Sequence, residues 1–260
     1  MAKNNLNSEK VFFQKDTVSL ARELLGKLLV INIENEILAG YIIETEAYLG
    51  KEDKACHSYQ NRKTRKNEAM FEKAGTIYIY TMHTHKMLNI VSCENDNPQA
   101  VLIRAIEPVV NIEKMEENRG KKGILVTNGP GKLTKAMKID DRFNKMEIKF
   151  IERNMFKENS KENFKKNAIL NENIEEISEN KELFNYDISK INEKYLYIDF
   201  ENSKIPKKIE KTARIGIPDK GIWTKRKLRF FVAGNKFVSG MRKSEFLEDV
   251  WKWKVSLYFL

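Results

Sequence analysis

Residues Ile42–His57, IIETEAYLGKEDKACH, decide the fold. Alternate side chains of a strand share a face, so Glu44, Glu46 and Tyr48 fall on one side of the stretch and Ile43, Thr45 and Ala47 on the other. Gly50 ends the strand in a turn, and His57 follows in the same locale. Two carboxylates and an aromatic ring on one face suit a site that holds a flat ligand and activates a water beside it. They also suit an ordinary two-sided strand whose glutamates face solvent. The pattern alone leaves both readings open.

Working outward, Leu28–Ile33 and Ile37–Tyr48 read as two strands joined across the polar turn Glu34-Asn35-Glu36. Before them, Asp16–Leu25 reads as a helix with Asp16 or Thr17 as N-cap, a stripe of Val18, Ala21, Leu24 and Leu25, and Gly26 as its stop. After them comes a basic segment with Arg62, Lys63, Arg65 and Lys66. It suits a phosphate-contacting loop or a solvated turn, and the flanking aromatics favour phosphate. Thr64 is placed to cap a short helix reaching Phe71. Thr76–Met82 reads as a strand with Tyr78 and Tyr80 on one face, a pairing that more often serves packing.

Asn89–Ser92 and Ala100–Ile106 read as a hairpin around the turn from Glu94 to Pro98, with Arg104 among apolar neighbours. A buried arginine needs a carboxylate, a phosphate or water, and Glu44 and Glu46 are the obvious partners. Val109–Asn118 reads as helix. Asn128-Gly129-Pro130-Gly131 is a tight turn into a helix from Lys132 to Met137, without the spacing of a nucleotide P-loop. Residues 150–194, rich in Asn, Glu and Lys, read as a variable insertion. Tyr195–Phe200 reads as a strand, and Lys225, Arg226, Lys227 and Arg229 lie between Trp223 and Phe230. Basic residues among aromatics fit a nucleic-acid face, or equally the outer face of a core strand. The tail 241–260, with Trp251, Trp253 and Tyr258, is expected to dock on the body.

The length of 260 residues suits one large domain or two small ones. Lysines and arginines number 47 against 37 acids, a net charge of +10, which favours a polyanionic partner. The start, MAKNNLNSEK, has no apolar signal core, and no window approaches a membrane span. Cys56 and Cys93 cannot make a disulfide framework, so the expected compartment is the reducing cytoplasm. His83, His85 and His57 lack a matching carboxylate or cysteine set, so no metal or other cofactor is expected.

Taken together the blocks resemble one family, the alkyladenine (3-methyladenine) or methylpurine DNA glycosylases. The resemblance is carried by LARELLGKLLV, IIETEAYLGKEDKACHS, TRKNEAMFEKAGTIYIY, NIV, VLIRAIEP, NGPGKLTKAM, RIGI and LRFFVAGNKFVSG, in family order from about Leu20 to Gly240. It implies a single compact α+β domain over 1–260 on a curved antiparallel sheet with surrounding helices, interrupted by the insertion at about 151–194. It implies a monofunctional enzyme without lyase activity, and a monomer is the default expectation. That enzyme flips damaged purines out of double-stranded DNA and hydrolyses the N-glycosidic bond, leaving an abasic site. 3-Methyladenine and 7-methylguanine are the implied substrates, with hypoxanthine and ethenoadenine as further candidates.

Residue by residue, the resemblance places Glu46 as general base and Arg104 beside the catalytic water. It places Tyr48, His57 and Tyr80 around the extruded base, and Asn89 as the pocket asparagine that disfavours guanine. Arg62, Arg65, Lys132, Lys225 and Arg229 are candidate phosphate contacts. The family's inserting residue, often tyrosine in a Tyr-Gly pair, is missing: Thr81-Met82-His83-Thr84-His85 is one residue shorter, which leaves Met82 or His83 as the wedge. The alternatives are a non-catalytic binder of damaged DNA with the same fold, and a metal-dependent hydrolase using the three histidines.

Overall fold

Asp16 begins the first helix, α1 (Thr17–Glu23), by accepting a hydrogen bond from the Ser19 amide, and Gly26 ends it at φ +83°. A side chain at Gly26 would lie 2.1 Å from the Lys204 carbonyl oxygen, so the close approach needs glycine. In the computed structural model, which describes residues 11–92, 97–152, 155–156 and 186–252, α1 leads into β1 (Leu28–Ile33) and β2 (Glu36–Tyr48). Glu34 and Asn35, both with positive φ, make the tight turn between these strands. The chain continues through β3 (Ile77–Met82), β4 (His85–Ser92) and β5 (Gln99–Val110) to helices α2 (Ile112–Arg119) and α3 (Pro130–Ala136). It ends through β6 (Lys149–Phe150), β7 (Leu196–Asp199), β8 (Ile205–Pro206), β9 (Ile209–Thr212), α4 (Ile222–Lys225), β10 (Arg229–Val232) and β11 (Trp251–Lys252).

The main sheet runs β3-β4-β5-β2-β1-β7-β6, antiparallel except between β6 and β7. It forks at β2. The first half of β2 pairs with β1, and the second half pairs with β10, where Arg229 lies opposite Glu46 and Phe231 opposite Glu44. The result is a strongly curled, half-barrel α+β fold, as the resemblance implies. Bulges along β2 and β5 help the curl. Ile42 pairs with Ile106, Glu44 with Ala105 and Thr45 with Ile103, so Ile43 and Arg104 each lack an opposite residue. A bulge re-aims its side chain, and this one points Arg104 at the β2 carboxylates.

Every β2 residue from Ile37 to Ala47 is buried, so the strand has no wet face. On one side Ile43 joins the core and the Thr45 hydroxyl donates to the Ala21 carbonyl of α1. The solvated-glutamate reading is thereby excluded. A smaller cluster of Cys56, Ala69, Met70, Tyr78, Val91 and Ala100 supports Tyr48, Phe71 and Tyr80. Helix α3 packs on β4 through Gly131, where a side chain would come within 2.6 Å of the His85 Cβ.

Several boundaries differ from the expectations. β4 starts at His85 because it pairs with β3 as well as β5, and β5 runs on to Val110 before the helix begins. The Thr64 segment forms a single tight turn at Glu68–Phe71, with Asn67 rather than Thr64 at its start. Cys93, the turn residues 94–96, most of the insertion, Trp253 and Tyr258 lie outside the described residues. Among the described residues, no helix is long and apolar enough to cross a membrane.

Candidate active site

Three elements deliver the site: the second half of β2, the bulged middle of β5, and the segment that precedes β10. Glu44 and Glu46 project to the same side of β2, as the alternation predicts, and both are fully buried. Arg104 sits between them, its Nε 2.8 Å from Glu44 Oε1 and its Nη1 3.2 Å from Glu46 Oε1.

The two acids are held in opposite ways. Glu44 accepts from Arg104 Nε, from Arg229 Nε at 2.7 Å, and from the backbone amide and hydroxyl of Ser239. Burial by itself would raise its carboxyl, but Arg104, Arg229 and Ser239 outweigh burial and hold it below the usual value. Glu46 accepts from the Tyr48 hydroxyl at 2.8 Å and the Ile215 amide at 2.8 Å, and is ion-paired with Arg104. Here burial dominates, and the carboxyl rises above its ordinary value although Arg104, Ile215 and Tyr48 pull the other way. Arg104 acts to lower the Glu46 value, and desolvation exceeds it. The surroundings of the two neighbouring acids thus push their pKa values in opposite directions.

The aromatic residues gather beside this pair. The Tyr78 hydroxyl lies 2.8 Å from His57 Nδ1, and the Tyr78 and Tyr80 rings stack at 5.5 Å and 30°. The His57 ring meets Tyr80 edge-on, 4.6 Å between centroids at 83°. A base held between two rings needs about 7 Å, twice the ~3.5 Å carbon contact distance. The expected open sandwich is therefore not formed between His57 and Tyr80 in this conformation. His57 keeps an exposed edge while burial on its other side lowers its pKa. Burial, with Glu46 nearby, pushes the Tyr80 hydroxyl up to about 12. Asn89 is buried on β4, and its amide donates to the Tyr78 and Met87 carbonyls.

The remaining candidates divide. Arg62 and Arg65 are exposed on the basic loop, and Lys225 is exposed at the end of α4. Lys132 is half-buried and donates to Asn128 Oδ1 at 2.7 Å. Arg229 is buried: its guanidinium is committed to Glu44, the Thr212 hydroxyl and the Ser239 carbonyl. It faces inward from β10, so it is a support of Glu44 and not a phosphate contact. Met82, 42 % exposed, and His83, at φ +54°, form the tip of the β3–β4 hairpin.

Sequence reasoning passed over Arg214, Asp53, Ser239 and the Ile215 amide. Arg214 and Ile215 lie in the quoted RIGI block, but nothing local says that a backbone amide there reaches a glutamate 169 residues away. Tyr78 was visible beside Tyr80 and reads as packing; its hydroxyl shows its second use.

A family model described as methylpurine-DNA glycosylase matches residues 11–184. Three bacterial relatives carry the name "Putative 3-methyladenine DNA glycosylase". The one from Staphylococcus saprophyticus is 41% identical over 244 residues, covering 94% of this chain and 99% of that protein. The Enterococcus faecalis protein is 38% identical over 255 residues, with 98% and 93% covered, and the Listeria welshimeri protein 39% over 251 residues, with 96% and 100%. The chain belongs to the methylpurine-DNA glycosylase family.

Proposed function

We propose that the protein is a monofunctional DNA glycosylase that excises alkylated purines from duplex DNA with a water activated by Glu46. The observation that carries this reading is the coordination of Glu46. A carboxylate offers about four lone-pair sites; the Ile215 amide takes one on Oε1 and the Tyr48 hydroxyl one on Oε2, while Arg104 pairs ionically with Oε1. The remaining site, on Oε2, is the place for a water. Arg104, paired with both acids, keeps the carboxylate oriented.

A base stacked in a duplex hides its glycosidic bond, so the nucleotide must be turned out at a cost of a few kcal/mol. Met82 or His83 at the hairpin tip fills the gap, and Arg62, Arg65, Lys132 and Lys225 hold the flanking phosphates. Admitting the base turns His57 away from Tyr80 and exposes the aromatic faces of Tyr48, His57 and Tyr80. An alkylated purine is a cation, and stacking on tyrosine contributes ~0.5–2 kcal/mol that a neutral base lacks. Its charge beside Glu46 also favours the ionised carboxylate, against the burial that raises its pKa. Bond cleavage builds an oxocarbenium-like sugar, which ionised Glu46 stabilises while taking a proton from the attacking water. Asn89, its amide hydrogens committed to the Tyr78 and Met87 carbonyls, disfavours the exocyclic amine of guanine by occupying its space and not by opposing donors. Attack by water and not by an amine leaves an intact abasic strand.

Incubating the protein with duplexes carrying 3-methyladenine, 7-methylguanine or hypoxanthine tests the proposal. Chromatography is expected to show free base, and gels an abasic site without strand cleavage. The full burial of Glu46 and the closed His57–Tyr80 contact favour a second reading, a binder of damaged DNA that does no chemistry. That reading predicts tight binding to abasic duplex and no free base at any enzyme concentration.

A further inference from the structure

Arg214 carries a buried charge that the mechanism above does not use. Its side chain has no exposed surface, and neither has that of Asp53. The guanidinium takes Asp53 bidentately, Nη1 to Oδ2 at 2.5 Å and Nη2 to Oδ1 at 2.9 Å. Nη1 also donates to the Ala47 carbonyl at 3.0 Å and Nη2 to the Trp223 carbonyl at 3.3 Å. Its guanidinium carbon lies over the Tyr48 ring, 4.6 Å from the centroid. Asp53 is itself fixed by the Leu49 and Ala55 amides. Among the described residues, Arg214 Nε has no hydrogen-bond partner.

These contacts surround Glu46 on both sides. Ala47 and Tyr48 follow it in β2, and Ile215, whose amide donates to it, follows Arg214. Buried ion pairs are often no more stabilising than apolar side chains of the same volume. A clamp needed only for stability has no use for a charge with one N–H unsatisfied. A planar fork is needed, however, to reach a carboxylate, two carbonyls and a ring at once. With Arg214 on one face of Tyr48, only the opposite face is left for a base.

We propose that Arg214, locked by Asp53, is a positioning residue that holds the Ile215 amide on Glu46 and sets the Tyr48 ring as a wall of the base slot. The inference rests on Glu46 as the catalytic base.

The test uses the full chain carrying Arg214→Gln or, as a milder change, Asp53→Asn, each studied well below its own melting temperature. Hydrogen exchange of the Ile215 amide and single-turnover base release are measured, with the Kd for undamaged duplex. Exchange at Ile215 is expected to accelerate about tenfold or more. Release at saturating DNA is expected to fall by about 10²-fold, the effect of a displacement near 1 Å, while the Kd stays within about twofold. Arg214→Lys, which keeps charge but not the fork, is expected to recover only part of the rate. Wild-type exchange at Ile215 and a wild-type rate in both variants would overturn the proposal, as would a loss confined to Kd. If the wild-type protein releases no base, the glycosylase reading fails, and the exchange measurement alone still decides the clamp.

Discussion

Glu44→Gln changes one oxygen to an amide nitrogen in a carboxylate that accepts four hydrogen bonds. Oε1 faces the Nε groups of Arg104 and Arg229, and Oε2 faces the Ser239 amide and hydroxyl. Whichever way the new amide is turned, its NH₂ meets an N–H donor. The better orientation keeps the oxygen on the guanidiniums and lets the Ser239 hydroxyl accept, but it sets NH₂ against the Ser239 amide. Two buried guanidiniums also lose their shared anion, although Arg104 keeps Glu46. Breaking a buried pair from one side costs about 3–5 kcal/mol. At ~2–4 °C per kcal/mol for a chain of this size, the melting temperature should fall by about 6–20 °C. Glu46→Gln provides the contrast: burial already penalises its charge, so its melting temperature should stay within about 3 °C of wild type or rise. Thermal melts followed by circular dichroism at pH 7 decide the matter. The reasoning fails if Glu44→Gln melts within about 2 °C of wild type, or if Glu46→Gln loses as much. The signs with pH are opposite. Glu44 is held below its ordinary value of 4.5, so its contribution is present above about that pH and fades as pH falls through the folded-state value. Glu46 is raised, so the advantage of its neutral form is present at low pH and fades as pH climbs through its folded value. The gap in melting temperature between wild type and Glu44→Gln should therefore narrow in acid.

Base release requires ionised Glu46, so the single-turnover rate should decline as pH falls through a value above 4.5, and the decline should begin at higher pH for hypoxanthine than for a cationic lesion. A pH–rate profile on both duplexes checks this. Arg62→Ala with Arg65→Ala should weaken binding to any duplex and reduce the slope of log Kd against log salt by about 1–2, at ~0.9 for each phosphate that is no longer neutralised; fluorescence anisotropy at several salt concentrations measures it. Gly131→Ala drives a methyl to 2.6 Å from His85 Cβ and should cost about 1–3 kcal/mol, read as a lower melting temperature.

The parts of the fold that were legible are those set by short-range pattern. Asp16 as N-cap, Gly26 as stop and the turn at Glu34-Asn35 follow from local chemistry, and the alternation in IIETEAY places both glutamates on one side. Arg104 among apolar residues correctly demanded a carboxylate. What local pattern could not supply was the fork in the sheet. β10 joins β2 from nearly two hundred residues away, and only that pairing turns Arg229 inward onto Glu44 at 2.7 Å. From sequence, LRFFV shows an arginine in a basic run, and its burial depends on a partner the run does not contain. The same distance hides the Ile215 amide and the Arg214–Asp53 pair. The closed contact of His57 on Tyr80 is likewise a matter of side-chain rotation, which spacing does not encode.

The most direct measurement is single-turnover release of free base from a duplex carrying 7-methylguanine by wild type and by Glu46→Gln, at saturating enzyme and pH 7. General-base catalysis is worth about 10²–10⁴-fold, so the variant should be slower by that factor while binding abasic duplex as tightly as wild type. Release by Glu46→Gln at the wild-type rate would contradict the assignment of Glu46 as the base.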